Sequence, residues 1–138
     1  MNKYLKVPVL VLSALFLLNS CQSAEQIKLE QYYIGGKVIY EQNCANCHQK
    51  DGKGLQNLYP PLAGSDYLQN KAQVIRVIKN GLTGAINVNG KIYNQPMPAN
   101  SQLQNLDIAE VVTYIYNEWA GEKEITTVEE VEKALKQP

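Results

Sequence analysis

Five residues constrain this chain more than any others: Cys44-Ala45-Asn46-Cys47-His48. The 138 residues contain only three Cys and one His, so the run gathers two of the former and the whole supply of the latter. A CxxCH run is the attachment pattern of c-type haem. Two thiols three positions apart can each add to one vinyl group of the same porphyrin, and the His that follows presents its imidazole to the iron. Three other readings compete. A catalytic dithiol needs only CxxC and is expected beside a βαβ pattern, which this helix-rich sequence lacks. A zinc site needs a fourth ligand, and after Cys44, Cys47 and His48 only Cys21 remains among Cys and His. A structural disulfide accounts for both Cys and leaves His48 unexplained. The pattern favours haem, and so a fold that encloses one.

Haem iron then takes a second axial ligand or keeps an open position. Apart from the initiator, Met97 is the sole Met. A lone Met is ordinarily core filler. Here it sits in Pro96-Met97-Pro98, where two rings restrict the backbone on either side, and it follows His48 by 49 positions, enough chain to wrap a porphyrin edge. Beside the pentapeptide, these features favour the ligand role over filler.

The first twenty residues read as a secretory signal. Lys3 and Lys6 form the positive start, Val7 to Leu18 is apolar apart from Pro8 and Ser13, and Asn19 and Ser20 follow. An apolar run of that length, at about 1.5 Å per residue, is too short to cross a hydrocarbon core of about 30 Å. Leu18-Asn19-Ser20-Cys21 has the form of a bacterial lipobox, which makes Cys21 the acylated first residue of the mature protein; cleavage after Ala24 is the alternative. Lipidation predicts an exported bacterial protein, tethered to a membrane and facing the periplasm or cell exterior. The full chain has 13 basic and 13 acidic residues, a balance that gives no reason to expect a nucleic-acid binder or a polybasic membrane binder.

Residues 21–30 read as a polar tether and folded structure is expected from Gln31 to the C-terminus. Tyr33 to Asn43 is a helix candidate in which Gly35 and Gly36 mark a close packing contact. Cys44 to Gly64 reads as loop. Lys71 to Lys79 is a second helix, capped by Asn70 and stopped by Gly81. Ile86 to Val88 and Lys91 to Tyr93 flank Asn89-Gly90, a hairpin signal because both turn residues tolerate positive φ. Ile108, Val111, Val112, Ile115 and Trp119 share one helical face, from about Gln104 to Gly121. Val128 to Lys136 forms a C-terminal helical extension with Thr127 and Glu130 as a capping box.

Cys44 to His48, Pro60-Pro61-Leu62-Ala63-Gly64, Met97-Pro98 and the amphipathic helix with Trp119 together resemble a class I, mono-haem cytochrome c, over about Tyr33 to Ala120. The resemblance implies a mainly α fold, a helical bundle around one covalent haem c with a small β-hairpin. It implies that Gly36 and Tyr40 meet the helix bearing Ile108 to Trp119. It further implies that the Pro60 carbonyl accepts a hydrogen bond from the ligand His48, that Leu62 packs on the haem, and that His48 and Met97 are the axial ligands. Electron transfer is the expected function, by a carrier and not an enzyme. The alternatives are a haem sensor or peroxidase-like protein with a labile sixth ligand, or a relay subunit of a respiratory complex. His48 to Gln95 holds six basic and two acidic residues, whereas the chain from Pro96 holds eight acidic and three basic. That asymmetry predicts a mildly basic haem edge for acidic redox partners and a solvated acidic tail.

Overall fold

Ser23 opens the first helix, α1 (Ala24–Asn43), with its side chain accepting from the Gln26 amide at 3.2 Å while the Gln26 side chain returns to the Ser23 amide at 3.1 Å. This computed structural model describes residues 23–137. The signal segment and Cys21 lie outside the described residues. Helix therefore occupies most of the stretch expected to be a tether. The physical reason is that capping box, together with the unbranched helix formers Ala24, Glu25, Gln26, Lys28, Leu29 and Glu30 behind it.

The backbone of Cys44 caps α1 by donating to the Tyr40 carbonyl at 2.9 Å, and the chain enters a single helical turn, α2 (Ala45–His48), where loop was expected. Gln49, at φ 63°, ends it. A 3₁₀ turn (Asp66–Gln69) capped by Ser65 precedes α3 (Lys71–Asn80), whose first turn is capped by Asn70 accepting from the Gln73 amide at 3.1 Å. Gly81, at φ 76°, stops α3 as expected. The strands β1 (Ile86–Val88) and β2 (Lys91–Tyr93) pair antiparallel with Val88 opposite Lys91, so Asn89 and Gly90 form the turn with φ of 53° and 79°. Next comes α4 (Asn105–Ile115), which relaxes into a wider π turn over Tyr116–Ala120 before Gly121 takes a left-handed cap. The last element is α5 (Val128–Lys136), opened by the Thr127 and Glu130 box.

The helices are held by one close approach. A Cβ on Gly36 would stand 2.0 Å from the Glu110 carbonyl oxygen, so α1 and α4 cross backbone to backbone at this point. Around the crossing Tyr40, fully buried, lies 5.3 Å from the ring of Tyr114 and 5.1 Å from that of Trp119 in tilted pairs. Both encounters expected of Gly36 and Tyr40 are present. Tyr33 extends the cluster outward, 5.2 Å from Tyr114 and donating to the Glu118 carboxylate, a bond that raises its pKa to about 12.

The acidic tail is docked and not free. Val131 and Ala134 are buried against α3 and α4, while Glu129, Glu130 and Glu132 stay exposed. The approach to α5 is pinned by the Thr126 amide, which donates to Thr113 Oγ1 at 2.9 Å, and by Asn117, which donates to the Thr113 and Glu124 carbonyls.

The two adjacent glycines should separate cleanly on substitution. Gly36→Ala forces backbones apart and is expected to cost at least about 2 kcal/mol in denaturant unfolding. At Gly35→Ala the three nearest atoms all belong to the movable Glu110 carboxylate. Its gain in helix propensity keeps the change within about 1 kcal/mol.

Candidate cofactor site

A cleft opens between α2, the loop through Tyr59 to Leu62, α3, the hairpin and the Gln95 to Pro98 segment. Its space amounts to about 900 Å3 including the mouth, and its walls are overwhelmingly apolar: Leu68, Val74, Ile78, Leu82, Val88 and Ile115 among them. Cys44, Cys47, His48, Pro60, Leu62 and Met97 all line it. The cleft thus brings together every candidate site residue of the sequence reading except Cys21, which lies outside the described residues.

The His48 ring is fixed by one bond. Its Nδ1 lies 3.0 Å from the Pro60 carbonyl oxygen. A carbonyl only accepts, so Nδ1 carries the proton, and the Nε2 lone pair of the neutral ring is left for a metal. Burial lowers the His48 pKa and so favours the neutral, ligating ring, while the hydrogen bond to Pro60 acts in the opposite direction. The doubled proline resolves in favour of Pro60 as the acceptor. Two glycines missed at the sequence level hold this carbonyl in place. The Gly52 carbonyl accepts from the Leu62 and Ala63 amides at 2.7 and 2.9 Å, and Trp119 packs on Gly52 where a Cβ would fall 2.5 Å from its ring. Gly54, at φ 68°, donates to the His48 carbonyl, and a Cβ there would stand 2.6 Å from the Pro60 oxygen. Asp51-Gly52-Lys53-Gly54 carries the signal that could have revealed them, two glycines in alternate positions that begin four residues after His48.

Both thiols are free. Cys44 is buried, and burial pushes its pKa up to about 12, with the neighbouring Cys47 adding to the shift. Among the described residues no three His, Cys, Asp or Glu side chains are grouped to hold a metal ion. Across the cleft, Met97 is held by its backbone. It exchanges hydrogen bonds of 2.9 Å with Leu82 in both directions, and Gly81, next to Leu82, approaches so closely that a Cβ would meet the Met97 carbonyl at 2.7 Å. A reciprocal clasp joins the hairpin to the loop below. The Asp66 amide donates to Asn89 Oδ1 and the Asn89 amide to Asp66 Oδ1, both at 2.9 Å, and Asn89 Nδ2 reaches the Gly64 carbonyl.

Two unpaired thiols, an imidazole oriented through Nδ1 and a thioether, set in an apolar cleft, fit the chemistry of a covalently held porphyrin. Fold and cleft together define a small helical haem protein. Residues 34–119 match the sequence profile of the cytochrome c family. The chain is 38% identical over 108 residues to cytochrome c-552 of Thermus thermophilus, covering 71% of this chain and 82% of that protein. It is 32% identical over 94 residues to cytochrome c6 of Chlorolobion braunii, covering 64% of this chain and 92% of that protein. Likeness to the cytochrome c subunit of a quinone alcohol dehydrogenase from Gluconacetobacter polyoxogenes is 33% over 92 residues, covering 64% of this chain and 19% of that subunit. The chain belongs to the cytochrome c family. It is a class I mono-haem cytochrome c that binds one haem c covalently and transfers electrons.

Gly54→Ala places a methyl against the Pro60 carbonyl at a positive φ. The holoprotein is expected to lose at least about 2 kcal/mol of stability. Its reduction midpoint should also move, because the partner that orients His48 is displaced. An unchanged midpoint in redox titration would show that the Pro60 bond has no hold on the iron.

Proposed function

We propose that Cys44 and Cys47 form the two thioether links to the haem, that His48 and Met97 are its axial ligands, and that Leu62 packs on the ring while Pro60 orients His48. Bound there, haem c supplies a one-electron couple between ferrous and ferric iron. His48 contributes an imidazole whose direction and tautomer are set before binding, and Met97 a soft thioether that favours the ferrous state and raises the potential. The apolar walls exclude water from both. One observation carries this reading: an imidazole already committed at Nδ1 shares a cleft with both thiols and with a methionine clamped through its backbone. The Leu82 and Met97 bridge argues against a labile sixth ligand, and so against the sensor or peroxidase alternative.

The protein then works as an electron carrier and not as an enzyme, held at a membrane outside the cytoplasm by acylated Cys21. No described helix is long and apolar enough to cross a membrane. A relay role within a larger complex is the second reading, favoured by likeness to a dehydrogenase subunit; purification with a stoichiometric partner would establish it. For docking, Lys53 and Lys71 are neutralised by Asp51 and Glu122. Lys79 and Lys91 donate to backbone carbonyls and have no carboxylate partner among the described residues, and Lys91 lies over the ring of Tyr93 at the cleft wall. Lys91 at that wall supports acidic redox partners at the haem edge.

Optical and redox titration of haem-matured protein tests the ligands. The ferric wild type should show the weak far-red band of Met-ligated iron; Met97→Ala should lose it and lower the midpoint potential. A band that survives the substitution rejects Met97. Electron-transfer rates with an acidic partner should fall as salt rises, and flat rates reject the basic docking edge.

A further inference from the structure

The helix α1 carries apolar side chains on two opposite faces. One face, with Gly36 and Tyr40, is buried against α4. The other consists of Ile27, Ile34 and Val38, which are 45%, 54% and 49% exposed. At 3.6 residues per turn these three fall within about 40° of one another and about half a turn from Gly36. They form a stripe that no described element covers.

We propose that this outward stripe rests on a lipid surface, so that α1 lies along the membrane. The proposal rests on the acylation of Cys21. Only Gln22 separates Cys21 from Ser23, the residue that caps α1. An acyl chain on Cys21 therefore delivers the helix to the interface with almost no slack, and contact of the stripe becomes an intramolecular event at high effective concentration. Standing upright, α1 would carry Val38 about 22 Å from its capped end and leave the stripe in water. Lying down, it sets all three side chains at the boundary between headgroups and acyl chains.

The surrounding charges specify the kind of surface. Glu30 and Glu41 flank the stripe on one side and Gln31 and Gln42 on the other, with Lys28 and Lys37 farther round the helix. No basic cluster is present among these residues to seek anionic lipid, so apolar contact with a zwitterionic surface is the interaction that fits, and it is insensitive to salt. A second copy of the chain fits less well. Three half-exposed side chains offer far less than the roughly 800 Å2 per partner of a stable protein interface. The orientation is compatible with function, because no residue of α1 lines the cofactor cleft; only its cap, Cys44, does.

The test uses acylated holoprotein on phosphatidylcholine vesicles, with nitroxide labels introduced singly through Ile34→Cys, Val38→Cys and, as a control on α5, Lys133→Cys. Haem absorption and unfolding midpoint verify each labelled protein. On vesicles, accessibility to a water-soluble nickel chelate should fall several-fold at positions 34 and 38 and stay unchanged at 133, at low and high salt alike. Ile27→Ser/Ile34→Ser/Val38→Ser should remain vesicle-bound through its acyl chain yet restore chelate access at a label introduced through Glu41→Cys. Labels at 34 and 38 that stay in water while the protein sediments with vesicles overturn the proposal and leave the anchor intact. Dipolar coupling between labels at 34 on two molecules overturns it in favour of a second copy. Failure to find acyl chains on Cys21 by mass spectrometry overturns the anchor reading and the proposal with it.

Discussion

The contact of Gly36 with the Glu110 carbonyl sets the rest of the molecule. With no side chain between them, α1 and α4 approach until their backbones touch, and the space on either side is filled by Tyr33, Tyr40, Tyr114 and Trp119. Because α1 runs through its Cys44 cap into the turn Ala45–His48, fixing the crossing also fixes where the two thiols and the imidazole stand. Trp119 reaches from the far end of α4 to Gly52 and so ties the same crossing to the loop that carries Pro60. Structural packing and ligand placement are one arrangement.

The two ligand sides are secured by different means. His48 is oriented by a single acceptor, itself positioned by Gly52 and Gly54, whose positive φ angles let the loop fold back on α2. Met97 depends on main-chain pairing with Leu82 and on the rigid rings of Pro96 and Pro98. Neither device relies on the cofactor for its hydrogen bonds. The family match ends at residue 119, and beyond it α5 closes over α3 and α4, with Thr113 serving as a buried post to which the returning backbone is tied.

Much of this is legible in the sequence. The hairpin at Asn89-Gly90, the caps at Asn70 and Thr127 and the stop at Gly81 are encoded by residue types whose conformational preferences are local, and they appear where the sequence puts them. Two kinds of feature are not. The start of α1 is hidden because Ser23 and Gln26 form a capping box without an apolar run behind it; the helix is apolar on opposite faces, which blurs its periodicity. The turn Ala45–His48 and the roles of Gly52 and Gly54 depend on contacts with distant backbone, which spacing along the chain does not reveal. At the site, the pairing of His48 with Pro60 comes from family resemblance, and no feature of the residues alone distinguishes Pro60 from Pro61.

The clasp between Asp66 and Asn89 has a kinetic meaning. It joins the hairpin above the cleft to the loop beneath it through a symmetrical pair of hydrogen bonds, with the Gly64 carbonyl as a third fastening. When an electron arrives or leaves, the dipoles around the iron must adjust to the new charge, and every loop free to swing adds to the reorganisation energy that slows the exchange. Surroundings locked in advance make that adjustment small. Asp66 and Asn89 take one such freedom away by fastening the hairpin to the loop that follows Gly64.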